Sequence, residues 1–186
     1  MLRYLPFLLV ASILSCAPAQ NVSANRDLLY TYDVEARLDE LGIQLTTPGA
    51  PVANYVNAVQ TGNLIFLAGK GPQSEAGEYI TGKVGRDLSV EDGYAAARRV
   101  GITQLGVLKE ELGDLNRVVR IVKVLGMVNA TDDFTQQPEV INGFSDLMVE
   151  VFGERGKHAR AAVGMGSLPR NIACEIEMVV EIAPIR

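Results

Sequence analysis

Histidine occurs once in the 186 residues, at His158, and cysteine twice, at Cys16 and Cys174. One imidazole and two distant thiols cannot supply the four ligands of a structural zinc site. No Ser-His-Asp set can be assembled without His158. No metal and no cofactor is therefore expected. Basic residues are not grouped either. The longest run of Lys or Arg is Arg98-Arg99, and the net charge is −5. Binding to nucleic acid needs a basic stripe, so no nucleic-acid partner is expected. "GKG" and "GMG" lack the strand-to-helix setting of a phosphate loop. No internal repeat is visible, and no apolar run reaches the about 20 residues that span a bilayer.

What is present is a chain with 48% hydrophobic and 21% charged residues, the balance of one domain with its own core. Arg3 followed by the apolar stretch Leu5–Leu14 has the proportions of an export signal. Two processing sites compete. Ala17-Pro18-Ala19 is a small-residue cleavage site, and Ser15-Cys16 resembles a lipoprotein box. Cys16 is thus a candidate lipid attachment point, and a membrane is expected only through that anchor. The reading divides the chain into a signal at 1–19, a linker with a short helix at 20–50, and a folded domain at 51–186. It places the protein in the periplasm or on a membrane by its lipid. Once Cys16 is removed or acylated, Cys174 has no disulfide partner and reads as a buried core thiol.

Periodicity supplies the elements. Val34, Leu38 and Leu41 mark a short helix that Gly42 stops. "ANYVNAVQ" and "LIFLAGK" flank "TGN" and predict a hairpin over Ala53–Gln60 and Leu64–Lys70. A glycine-rich excursion, 71–85, has room for a short strand pair. Ser89, with Asp92 three residues on, predicts a capped helix whose apolar face runs Tyr94, Ala97, Gly101, Leu105, Leu108, Leu112 and ends at Gly113. "RVVRIVKVLGMVN" is apolar on both faces and predicts a central strand. A second helix starts near Pro138 and stops at Gly153. Two closing strands follow, so the order is ββαβαββ.

Side chains alternate across a strand. In "NIACEIEMVV", Cys174, Ile176, Met178 and Val180 form one apolar face, expected to meet the helices, and Glu175 and Glu177 the other. In "HARAAVGMG" the same split puts Ala161, Val163 and Met165 toward the helices. His158, Arg160, Ala162, Gly164 and Gly166 then share the open face with Glu175. Arg160 and Glu175 there are open to two readings. One is an exposed ion pair worth about 0–1 kcal/mol. The other is a pocket that binds an anion and handles a proton beside a neighbouring subunit. His158 reads as a surface residue at a strand start.

"HAR-A-V", "SLP" and "CEIEMVVEI", with Glu175 fifteen positions after Arg160, resemble the closing signature of the RidA/YjgF family of enamine/imine deaminases. "NYVNAVQTGNLIFLAGKGP" resembles that family's opening hairpin. The middle, "GKVG-DLS-EDGY", and the helix "VINGFSDLMVEVFGE" resemble its chorismate-mutase-like branch, which carries an older endoribonuclease label. The resemblance covers about residues 51–182. It implies an α+β, chorismate-mutase-like single domain with a mixed sheet and two long helices on one face. It also implies a homotrimer with clefts between subunits. The implied reaction is hydrolysis of small 2-imino acids to 2-keto acids and ammonia. By the same resemblance Arg160 holds the substrate carboxylate, Glu175 activates water, Tyr55 and Gly69 line the pocket, and Ala162 contributes backbone. The implied partner is a small carboxylate-bearing molecule. The departures are His158 for the family's proline, Ala161 for its serine, and Ala68-Gly69-Lys70 for Ser-Gly-Gln. Two other functions remain open: a non-catalytic envelope protein that binds small carboxylates, and an endoribonuclease.

Overall fold

The computed structural model describes residues 29–184 except 48 and 50–52. The signal segment, Cys16 and both processing sites lie outside the described residues. Helix α1, Val34–Glu40, starts at Asp33, whose carboxylate accepts from the Glu35 and Ala36 amides. Strands β1, Ala58–Thr61, and β2, Leu64–Lys70, form the hairpin, with Gly62 left-handed at its tip (φ 58°). The first strand is shorter than its sequence pattern, because the Tyr55 amide bonds back to the Ala53 carbonyl in a local turn. The expected strand pair in 71–85 reduces to one bridge, Gln73 to Tyr79.

Helix α2, Val90–Leu112, opens with the predicted capping box. Ser89 Oγ accepts from the Asp92 amide and Asp92 Oδ2 accepts from the Ser89 amide, each at 3.0 Å. Ser89→Ala should cost about 0.5–2 kcal/mol, which thermal unfolding would record as about 2–4 °C per kcal/mol. Strand β3, Val118–Asn129, helix α3, Gln137–Phe152, and strands β4, Ala159–Met165, and β5, Cys174–Ile182, complete the domain.

The sheet order is β1-β2-β5-β3-β4. Every neighbouring pair is antiparallel except β3 with β4. Helices α2 and α3 pack together over one face. Leu105, Leu108, Phe144, Leu147 and Met148 meet Val124, Val128, Ile176 and Val180 there, all fully buried. Cys174 belongs to this core, and burial pushes its thiol up to about 12. No helix among the described residues is long and apolar enough to cross a membrane.

β5 faces as its alternation predicts; β4 does not. Arg160 pairs with Val124 and Ala162 with Gly126, residues of β3 that face the helices. Arg160 Nη1 donates to Asn142 and Ser145 on α3, and a Cβ on Gly164 would meet Gln137 at the start of that helix. The helix-facing side of β4 is therefore the polar, small one, and Val163 is 39% exposed on the other. Alternation identifies which residues share a face, not which face is covered. β4 is an edge strand that lies over a polar flank of α3, so the usual rule reverses. Arg160 and Glu175 consequently sit on opposite faces of the sheet, with β3 between their strands.

Candidate active site

Buried Gln104 of α2 reaches into the sheet and donates to the carbonyls of Ala68 (3.0 Å) and Ile176 (2.8 Å). These bonds hold β2 where its register with β5 shifts, between Leu67 and Lys70. Such irregularities re-aim the chain, often beside a functional site. Here the shift lays Gly69 directly on Glu175. A Cβ at position 69 would overlap Glu175 Oε1, so only glycine leaves the carboxylate its place.

Glu175 borders an open cavity of about 330 Å³, which Tyr55, Gly69, Lys70, Tyr79 and Arg170 also line. Burial raises the Glu175 carboxyl above its ordinary value, and the nearby Glu177 charge adds to the rise. Half-buried Lys70 donates to Asn57 Oδ1 at 2.5 Å, and desolvation lowers its ammonium. Arg170 and Asn171 both adopt left-handed backbone (φ 56° and 57°), a conformation few non-glycine residues take. The turn is pinned. Asn171 Oδ1 accepts from Asn129 Nδ2 at 3.0 Å, and the Asn171 carbonyl accepts from the Gly82 amide at 2.8 Å. So held, the Arg170 guanidinium lies 5.5 Å from the centre of the Tyr79 ring.

Of the residues singled out in the sequence, Tyr55, Gly69 and Glu175 meet in this cavity, together with Lys70. Arg160 and Ala162 are not among its lining residues. Ala162 packs against the core. Arg160 is one end of a separate polar chain. His158 Nδ1 lies 2.7 Å from the Gly156 carbonyl, which can only accept, so that nitrogen carries the proton. His158 Nε2 then accepts from Ser145 Oγ at 3.0 Å, and Ser145 Oγ accepts from Arg160 Nη1 at 3.0 Å. Burial lowers the His158 pKa and the Arg160 charge lowers it further, against a bond to Gly156 that raises it. His158 is thus a half-buried strut between β4 and α3, not the surface residue its position suggested. Sequence reading missed Arg170 and Tyr79. The only trace of Arg170 was its place in "SLPRN", and nothing local marks the fold-back that brings Tyr79 beside it.

The family described as "YjgF/chorismate_mutase-like, putative endoribonuclease" matches residues 35–182 of the chain. The chain belongs to this family. Protein TCP17 of Trypanosoma cruzi is 43% identical over 150 residues, which cover 80% of this chain and 94% of that protein. The 2-iminobutanoate/2-iminopropanoate deaminase of Dermatophagoides farinae is 30% identical over 141 residues, covering 74% and 94%. A solved structure from Shewanella oneidensis, described as a putative endoribonuclease, has a TM-score of 0.78 at 30% identity and covers 81% of this chain and all of that one. The five-stranded α+β domain is the family's fold.

Proposed function

We propose that the protein hydrolyses small 2-imino acids to 2-keto acids and ammonia, at a cleft completed by a second subunit. The observation that carries this reading is Glu175: a half-buried carboxyl with a raised pKa, in a cavity beside Lys70 and Arg170. A carboxyl so placed can take a proton from the water that attacks the C=N carbon. It can pass that proton to the nitrogen, giving a carbinolamine, and then move the carbinolamine hydroxyl proton to the same nitrogen as the C–N bond breaks. Water supplies the keto oxygen, and the nitrogen leaves as ammonia. The deaminase relative from Dermatophagoides farinae supports the substrate class.

Arg160 holds the substrate carboxylate in this reading, from the neighbouring subunit, because in its own protomer it lies across the sheet from Glu175. A self-association surface is consistent with the apolar residues on the open face. Val59 and Phe66 pair across β1 and β2 and are 56% and 46% exposed. A homotrimer matches the family resemblance. Export by the N-terminal segment would place the reaction outside the cytoplasm. Binding without turnover is the second reading, and Ala68 favours it by leaving no hydroxyl where the family has serine. An endoribonuclease has less support: the net charge is −5, and His158 does not line the cavity.

The test is the decay of freshly generated 2-iminopropionate. The protein should accelerate it, and no gain over spontaneous hydrolysis overturns the reading. Arg160→Ala and Glu175→Gln proteins should each lose most of their activity. Unfolded and refolded together, they should recover activity at roughly a quarter of the sites if those sites are shared in a closed ring. No recovery would place both residues in one subunit's chemistry, against the geometry.

A further inference from the structure

This inference rests on the deaminase reading and concerns the substrate. A simple 2-imino acid carries one carboxylate, and Arg160 suffices for it. The cavity that holds Glu175 contains two more cations of its own, Lys70 and Arg170. Among the described residues neither has a carboxylate within salt-bridge distance. We infer that Lys70 and Arg170 form a second anion subsite, and that the preferred substrate is a 2-imino dicarboxylic acid of four or five carbons.

Three observations support it. Lys70 is half-buried, and among the described residues its hydrogen-bond partner is the neutral Asn57 amide oxygen. A partly desolvated ammonium without a counter-charge is unfavourable, and an incoming carboxylate offsets part of that loss. Arg170 is held at the cavity rim by two consecutive left-handed residues in a turn tied to Asn129 and Gly82. Strained backbone of this kind clusters at ligand clamps. The guanidinium carbon lies 5.5 Å from the centre of the Tyr79 ring, and among the described residues the one hydrogen bond of its Nη groups is long, 3.5 Å from Nη1 to Tyr79 Oη. Those donors remain available for a bidentate carboxylate.

Arg170→Gly is the decisive variant. It removes the guanidinium and suits the left-handed backbone, so the fold should hold. Imines of aspartate and alanine, each generated by an oxidase, are compared for turnover. Glutarate and butyrate are compared for thermal stabilisation. The wild-type protein should be stabilised more by glutarate and should prefer the dicarboxylic imine. Arg170→Gly should reduce that preference in kcat/KM at least about tenfold, the loss of one charged hydrogen-bond pair, and Lys70→Met should also reduce it. Equal stabilisation by both acids overturns the subsite while leaving the deaminase reading in place. Loss of butyrate binding along with glutarate in Arg170→Gly also overturns it, because Arg170 would then be the primary carboxylate anchor. Glutarate stabilisation that depends on Arg170 but comes with no imine turnover keeps the subsite and removes the deaminase.

Discussion

Glu175→Gln should reduce imine hydrolysis by about 10²–10⁴-fold, the range for losing a positioned general acid–base, and yet raise the melting temperature. The two effects share one cause. Burial raises the Glu175 carboxyl in the folded state, so between its unfolded and folded pKa the native protein binds more protons than the unfolded chain. Stability from this group therefore falls as pH rises through that window, and above the folded-state pKa the destabilisation is complete. Glutamine carries no charge and avoids it. Glu175 is only partly buried, so solvent screens the effect. The rise in Tm should stay below about 4 °C, the shift that 1 kcal/mol produces in a domain of this size. Turnover by the wild-type protein should fall as pH drops through the raised Glu175 pKa, since the base is then protonated. Activity retained in Glu175→Gln, or a melting temperature that falls, would remove Glu175 from its proposed role.

Gly143→Ala should lower the melting temperature by about 4–8 °C, which corresponds to roughly 2 kcal/mol. Alanine is intrinsically better than glycine inside a helix by about 1 kcal/mol, so a surface position would show the opposite sign. Here α3 crosses α2 at van der Waals contact. A Cβ on Gly143 would run into the Tyr94 carbonyl, whose carbon is 2.8 Å away, and would lie 3.2 Å from the Arg98 amide nitrogen. Backbone cannot rotate aside, so the helices must separate and loosen the Phe144 and Leu147 contacts beneath them. Gly101→Ala is the control. Its Cβ would meet Leu147 Cδ2 at 2.6 Å, the end of a flexible side chain. Its drop should be no more than about half as large, because a leucine can change rotamer. Equal melting temperatures for the two variants would show that the crossing tolerates separation.

The elements were legible because their signals are local. Ser89 and Asp92 cap α2, Gly113 and Gly153 end α2 and α3, and Gly62 turns the hairpin. Tyr55, Gly69 and Glu175 were also legible as site candidates, and they do line one cavity. The assignment of Arg160 to the face of Glu175 failed for a nonlocal reason. An edge strand can turn its apolar residues outward when its inner side rests on the polar flank of a helix, and Asn142, Ser145 and Gln137 supply that flank. His158 makes the same point. Its position suggested solvent, but Ser145 and Gly156 bracket its ring.

Sequence alone determined the order of strands and helices, the capped ends of α2, the face of β5 that enters the core, and the presence of an Arg and a Glu in a family-like spacing. Hydrophobic period, capping and turn chemistry act over a few residues, and their information is complete within a short window. Tertiary structure alone decided that β4 is inverted, that Gln104 holds the β2 irregularity over Glu175, and that Arg170 and Lys70 border the same cavity. Each of these depends on which surfaces meet across the fold: positions 104 and 68, 170 and 79, and 160 and 142 interact only after the sheet has paired and the helices have docked on it.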